Sequence, residues 1–343
     1  MNRPEPAAAE LGARLSESEL CPADLLAGQE AAFARDIARL HARASEFVAV
    51  ECPACAGQVS ALAFEKYGFA FRSCAACKTL YMSPRPAQAV MADYYSNSEN
   101  YAYWAAHIFP ASEASRREKI HKPWLERVTG ICERYGIARG TLLEIGPGFG
   151  TFAAVATQSG TFRRVVAVEP TPEMAAACRL RGVEVIERRI EDITAVELAV
   201  ADVVVAFEVI EHLFDPAELV RQAARVLKPG GLLVLSCPNG LGFDICMLGA
   251  GSQAVDAEHV NLFNPQSLGQ LLQAQGFSVL ETSTPGRLDA EIVRDAALAG
   301  TVTLDPFMRR VLIEEWDSLG WPFQQFIAAC GQSSHMWIAA RRV

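Results

Sequence analysis

The chain has 343 residues, 51% hydrophobic and 21% charged, with a formal net charge of -9 and a pI near 5.3. Such a composition excludes a mostly disordered chain, and the length suits two structural units better than one. The acidic balance argues against DNA or RNA as the main partner, and no uncharged apolar run approaches the length of about 18 residues needed for a membrane span.

The first 19 residues are rich in Ala, Glu and Pro, with acids from Glu5 onward and no uninterrupted apolar segment. No secretory signal is read there, so the ten cysteines are expected in a reducing cytoplasm. Over residues 23–46, Leu25, Leu26, Phe33, Ile37 and Leu40 recur at helical spacing and predict a packing helix.

Residues 50–83 carry Cys52-Pro-Ala-Cys55, 18 intervening residues, then Cys74-Ala-Ala-Cys77. Two residues between thiols let a tight turn aim both sulfurs at one ion. Two such turns complete a closed tetrahedral S4 shell, which predicts structural Zn2+ rather than catalytic metal. The strand-like run Ala61–Phe71, with a Tyr67-Gly68 turn signal, completes a small zinc ribbon. So small a unit could hardly bury enough core without the ion.

Residues 84–135 begin with Pro84-Arg85-Pro86 and hold Tyr94, Tyr95, Tyr101, Tyr103 and Trp104, followed by a charged helix from Ser115 to about Tyr135. The aromatic cluster suits a lid over a site, or an interface between the ribbon and the main domain.

Residues 136–285 read as the core. The apolar runs Thr141–Ile145, Arg164–Val168, Val183–Ile186, Asp202–Phe207 and Leu232–Ser236 alternate with helical patterns. Runs of this kind fit strands buried on both faces of a parallel sheet, hence a doubly wound, Rossmann-like α/β domain with its ligand beyond the strand C-termini. The first run enters Glu144-Ile-Gly146-Pro-Gly148-Phe-Gly150, and the position where a dinucleotide fingerprint needs its third glycine is Thr151. A carboxylate two residues ahead of Gly146 disfavours a pyrophosphate and favours a cation. The second run ends in Glu169-Pro170, where a carboxylate is placed to take both hydroxyls of a ribose. The expected ligand is a cationic ribonucleoside without phosphates, and S-adenosyl-L-methionine fits.

The segments LLEIGPGFGTF, VVAVEP, IEDI, DVVVAFEVIEHLFDP and VLKPGGLLVLSCPN resemble the class I S-adenosylmethionine-dependent methyltransferase family over about residues 120–285. The resemblance implies that Gly146, Gly148 and Gly150 line the methionine part and that Glu169 holds the ribose. It further implies that Asp192 contacts the adenine amine beside Ile193, and that Phe207, Glu208 and Val209 border the methyl-transfer site. Gly230 and Gly231 are read as a structural turn entering the fifth strand.

Two histidines are candidate bases, both beyond strand C-termini and with near-neutral intrinsic pKa: His212 in EVIEHL, and His259 in Glu258-His259-Val-Asn261-Leu-Phe263. His41, His107 and His121 lack a motif, and His335 sits in a terminal strand pattern and reads as structural. Cys178, Cys237 and Cys330 read as small buried residues. The ribbon ahead of the core and the Glu-His pair after the fifth strand resemble bacterial ketosugar C-methyltransferases, which act on nucleotide-linked sugars. That resemblance implies His259 as the base, Glu258 beside it and His212 stabilising an enolate. Those enzymes carry a further C-terminal α/β domain, whereas here residues 288–330 read as helices and Ser333–Arg342 as a closing strand. EVIEHL, LKPGG and SCPN are also similar to quinone and small-molecule O-methyltransferases, where the nucleophile is a hydroxyl. The expected function is methylation of a small metabolite, without a membrane or nucleic-acid partner. The alternatives are a catalytically silent cofactor-binding scaffold and a nucleic-acid methyltransferase. Only Lys66, Arg72 and Lys78 give the ribbon positive charge, which disfavours the latter.

Overall fold

The computed structural model describes residues 15–193 and 201–343; the tail reading of residues 1–14 lies outside the described residues. Helix α1 (Ala23–His41) leads into strands β1 (Phe47–Val48), β2 (Ser60–Lys66), β3 (Phe69–Cys74), β4 (Leu80–Met82) and β5 (Arg85–Pro86). Helices α2 (Gln88–Asn97) and α3 (Glu99–Tyr103) hold the aromatic cluster, and helical backbone then runs to the end of α4 (Lys122–Tyr135). Gly136, in the left-handed conformation that suits glycine, ends α4.

The core alternates β6 (Thr141–Ile145), α5 (Thr151–Ser159), β7 (Arg164–Val168), α6 (Pro172–Leu180) and β8 (Glu184–Ile186). It continues with β9 (Ala201–Phe207), α7 (Pro216–Val226) and β10 (Leu227–Pro238). After β11 (Asn261–Leu262) come α8 (Pro265–Ala274), β12 (Phe277–Ser283), a helical stretch with α9 (Asp289–Leu298) and α10 (Trp321–Ala329), and β13 (His335–Arg342). The central sheet has seven strands in the order β12-β13-β10-β9-β6-β7-β8. Strands β6 to β10 run parallel, and β13 is antiparallel to both its neighbours. The sheet is therefore mixed, a doubly wound α/β sheet with antiparallel β13 inserted between β10 and the edge strand β12. Val203, Val204 and Val205 are all 0% exposed, which shows why the run is apolar without alternation: both faces are covered. One face packs on α7 and α8, the other on α4 and α5.

The ribbon is a second sheet, ordered β11-β4-β3-β2. Tyr67 and Gly68 have φ of 52° and 78°, the paired positive angles that a two-residue hairpin turn requires. Its fourth strand, β11, comes from the far side of the core and pairs antiparallel with β4. Cys52, Cys74, Cys77 and Tyr81 share one packed cluster with Leu143, Val204 and Leu235 of the central sheet, while Phe69, Phe71 and Met82 pack in another with Leu40 of α1 and Val90 of α2. Cys178 and Cys237 are buried as expected, whereas Cys330 is exposed at the end of α10, where the helix has left the core. Among the described residues, no helix is long and apolar enough to cross a membrane.

Arg85 of β5, which pairs with β1, and Asn261 of β11 are tied to each other and to the turn that follows β9. Arg85 Nη1 donates to Asn261 Oδ1 at 2.7 Å and Nη2 to the Phe214 carbonyl at 2.6 Å. Asn261 Nδ2 donates to the Leu213 carbonyl at 2.7 Å, which fixes the turn carrying His212. Burial pulls the Arg85 guanidinium down to about 10, so it stays charged at neutral pH. Asn261→Ala should leave buried groups unsatisfied and lower unfolding stability by about 1–3 kcal/mol. Urea titration checks this, and a change below about 0.5 kcal/mol would refute the role of the link.

Candidate active site

The C-terminal ends of the parallel strands open into a cavity of about 1430 Å³, lined by Gly146, Gly148, Glu169, Glu208, His212 and His335 among others. It lies where the strand ends of a doubly wound sheet are expected to bind ligands.

At one end stands the glycine loop. Gly146 has φ of 68°, and a Cβ there would come within 2.8 Å of Val209 Cγ2. Gly148 also has positive φ, with nothing within 4 Å of its Cβ position, so its backbone faces open space. Gly150 is off the wall: a Cβ there would meet Cys178 Sγ at 2.6 Å, which makes it a packing glycine between loop and α6. Glu144 is 3% exposed, and one of its carboxyl oxygens has no hydrogen-bond partner. Burial, reinforced by nearby Glu169, pushes its carboxyl up to about 8. Burial also raises Glu169, although its Oε1 accepts the Thr171 N–H at 2.9 Å. Pro170, Phe207, Glu208 and Val209 line the same space. Asp192 ends the short turn Ile190–Asp192 after β8 and is exposed, with Ile193 buried beside it. Two desolvated carboxyls, one of them the strand-end Glu169, and a glycine bed suit a ligand that brings positive charge and a ribose.

Glu144 gives a pH test. A bound cation stabilises its charged form, so the site must release a proton when ligand binds below about pH 8. Affinity for S-adenosylmethionine should therefore rise as pH rises towards 8 and level off above it. Calorimetry between pH 6 and 9 reads the slope, and Glu144→Gln should flatten it; an unchanged slope in that variant would contradict the assignment.

Aromatic residues also line the cavity. Tyr95, Tyr101, His121, Trp124 and Trp337 line it. The cluster expected from the sequence splits in two. Tyr94 is buried and donates its hydroxyl proton to Glu258, while Tyr95 reaches His212 Nδ1 at 3.3 Å. Asn100 Nδ2 also donates to Glu258, at 3.3 Å. The Glu258 carboxylate is thus taken up by α2 and α3 rather than by the neighbouring His259 ring. Burial, with Asp256 adding, lifts its carboxyl to about 7.

His259 finds its carboxylate one turn earlier. Its Nδ1 lies 3.4 Å from Asp256 Oδ2 and 2.8 Å from the Ala254 carbonyl. Burial pulls the imidazole down, but Asp256 and these neighbours outweigh it and hold His259 above the ordinary histidine range. Its ring packs edge-on against His212 at 4.7 Å, and His212 is the one on the cavity wall. Burial, with His259 adding, pushes His212 down to about 3, so it is neutral at working pH. Glu211 is completely buried, its carboxylate 4.0 Å from His212 Nε2.

Sequence reasoning missed Asp256 and the cavity positions of His121 and His335. Asp256 could have been found from the D-A-E-H spacing, since a side chain three residues back can reach an imidazole across a turn. His335 carried its signal in topology: an antiparallel strand in a parallel sheet begins at the edge where the others end.

The four ribbon cysteines converge. Cys52 Sγ lies 3.4 Å from Cys77 Sγ, and Cys55 Sγ lies 3.6 Å from Cys74 Sγ. Each knuckle closes on a positive-φ residue, Ala56 at 54° and Lys78 at 60°. Zn–S bonds of about 2.3 Å in a tetrahedron put sulfurs about 3.8 Å apart, so the donor set fits that ion.

The sheet order and the glycine loop facing strand-end carboxylates define a class I S-adenosylmethionine-dependent methyltransferase core. Residues 114–282 match the family model described as "Methyltransferase domain". A "Ubiquinone biosynthesis O-methyltransferase" from Xanthomonas oryzae pv. oryzae is 32% identical over 132 residues, 36% of this chain and 54% of that protein. Two mycobacterial proteins are each named "Probable S-adenosylmethionine-dependent methyltransferase". The one from Mycolicibacterium smegmatis is 29% identical over 57% of this chain and 74% of its own length. The one from Mycobacterium tuberculosis is 33% identical over 45% and 55%. The chain thus spans about half the length of the first of these relatives.

Proposed function

We propose that the whole protein transfers a methyl group from S-adenosylmethionine to a small-molecule acceptor bound beside the aromatic residues of the cavity. The observation that carries this reading is the continuity of one cavity from Gly146 and Glu169 to Tyr95, Tyr101 and His212. The cofactor supplies an electrophilic methyl on a sulfonium; the chain's own residues hold and align what it reacts with. In this proposal Glu169 takes the ribose hydroxyls, Glu144 offsets the positive charge, and Asp192 and Ile193 flank the adenine. Tyr95 and Tyr101, from the Tyr94–Trp104 segment, close over the acceptor. His212 contacts the acceptor as a neutral hydrogen-bonding group and steadies developing charge, with His259 and Asp256 holding its ring from behind.

The acceptor class follows from the chemistry of the walls. An aromatic lining with a few convergent polar groups suits a compact hydroxylated molecule. Both the nucleotide-linked sugars implied by the C-methyltransferase resemblance and the phenols implied by the ubiquinone-pathway relative fall within it. Incubating the full chain and S-adenosylmethionine with members of both sets should give product heavier by one methylene for one set. No mass gain with any, despite tight cofactor binding, would favour the silent scaffold. Glu169→Ala should weaken cofactor binding by the loss of two charge-assisted hydrogen bonds, each about 1.5–3 kcal/mol. His212→Ala should lower kcat about 10²-fold or more if it steadies developing charge.

The ribbon is proposed to hold one structural Zn2+ at Cys52, Cys55, Cys74 and Cys77. Metal analysis of the purified protein should find zinc at 1:1, and a quadruple Cys→Ser variant should lose it. Zinc retained in that variant, or absent from the native protein, would refute the site.

A further inference from the structure

Beside the His212–His259 pair, the cavity holds another imidazole in contact with a carboxylate. Glu208 follows β9 with a φ of 54°, a left-handed conformation that a non-glycine residue adopts only at a cost. Ser236 Oγ donates to its Oε1 at 2.6 Å, and His335 Nε2 stands 2.9 Å from the same oxygen. His335 begins β13 opposite Pro238, the last residue of β10. Its ring lies parallel to Trp124 within 8°, centroids 6.2 Å apart. Its Nδ1 has no protein hydrogen-bond partner among the described residues and is not occluded. Glu208 and His335 both line the cavity, and the residue after Glu208 is Val209, which packs on Gly146 of the glycine loop.

We infer that His335, oriented by Glu208, is the general base that takes the proton from the acceptor nucleophile. An Nε2–H donated to Glu208 leaves the Nδ1 lone pair on the cavity side, the arrangement of a base held in tautomer and direction by a third group. As the nucleophile's bond to the methyl carbon forms and the carbon–sulfur bond breaks, the nucleophile's proton moves to Nδ1. The positive charge lost from sulfur then resides on the imidazolium beside the Glu208 carboxylate, and solvent removes the proton afterwards. His212, neutral and held by Tyr95 and His259, is the weaker candidate on the same wall. Glu208 acts as a positioning residue.

The inference rests on the methyl-transfer reading, and its first test needs no turnover. In full-length protein with 15N-labelled histidine and S-adenosylhomocysteine, the His335 ring should show the Nε2–H tautomer near neutral pH, and Glu208→Gln should abolish that preference. An Nδ1–H tautomer would overturn the assignment. The second test uses the sugar-nucleotide or phenol probe that the wild-type protein methylates in the mass assay. His335→Gln should lower kcat by about 10²–10⁴-fold, the span of a general base, with S-adenosylhomocysteine affinity by calorimetry unchanged. If His335→Gln keeps wild-type kcat while His259→Ala loses it, the base is His259 and the inference fails. Failure of the broader reading looks different: the wild-type protein itself would bind no S-adenosylhomocysteine, or would bind it and methylate none of the probes.

Discussion

Everything at the site depends on one edge of the central sheet. Five parallel strands end there, and the backbone must turn away from each before it can re-enter a helix. Each turn exposes groups the strands themselves cannot satisfy. Those after β6, β7 and β9 supply Gly146, Glu169 and Glu208. Antiparallel β13 begins at that edge and adds His335. Residues drawn from distant points of the chain thus meet in one cavity because strand direction brings them there.

Desolvation then sets the chemistry. Glu144 and Glu258 are both pushed up by burial, to about 8 and about 7, while His212 is pushed down to about 3. Glu258 stays raised although Tyr94 and Asn100 donate to it, because Asp256 adds to burial. At Glu208 the balance is reversed. His335 and Ser236 hold Glu208 below the usual carboxylate range against the pull of burial. The neutral form is thus favoured at Glu144, Glu258 and His212, and the charged form at Glu208 and His259.

The fold was legible in the sequence to the extent that its signals are local. Apolar runs without alternation marked the parallel strands, and the Tyr67-Gly68 turn and the two cysteine knuckles marked the ribbon. β11 was not legible, because two residues more than 170 positions beyond β4 carry no periodicity. The cavity positions of Gly146, Gly148 and Glu169 were readable from spacing and that of His212 from its place after a strand, whereas Gly150 and His259 lie off the wall. That Glu258 is held by Tyr94 and Asn100, leaving Asp256 to His259, depends on helices docking from elsewhere. His335 was read as structural because its strand pattern was recognised and its direction within the sheet was not.

A crystal structure of the full chain with S-adenosylhomocysteine tests the central claim most directly. The account predicts the ribose hydroxyls on Glu169, the amino-acid part over Gly146 and Gly148, and the sulfur facing the space between His212 and His335. A ligand bound elsewhere, or one whose sulfur points away from both histidines, would contradict it.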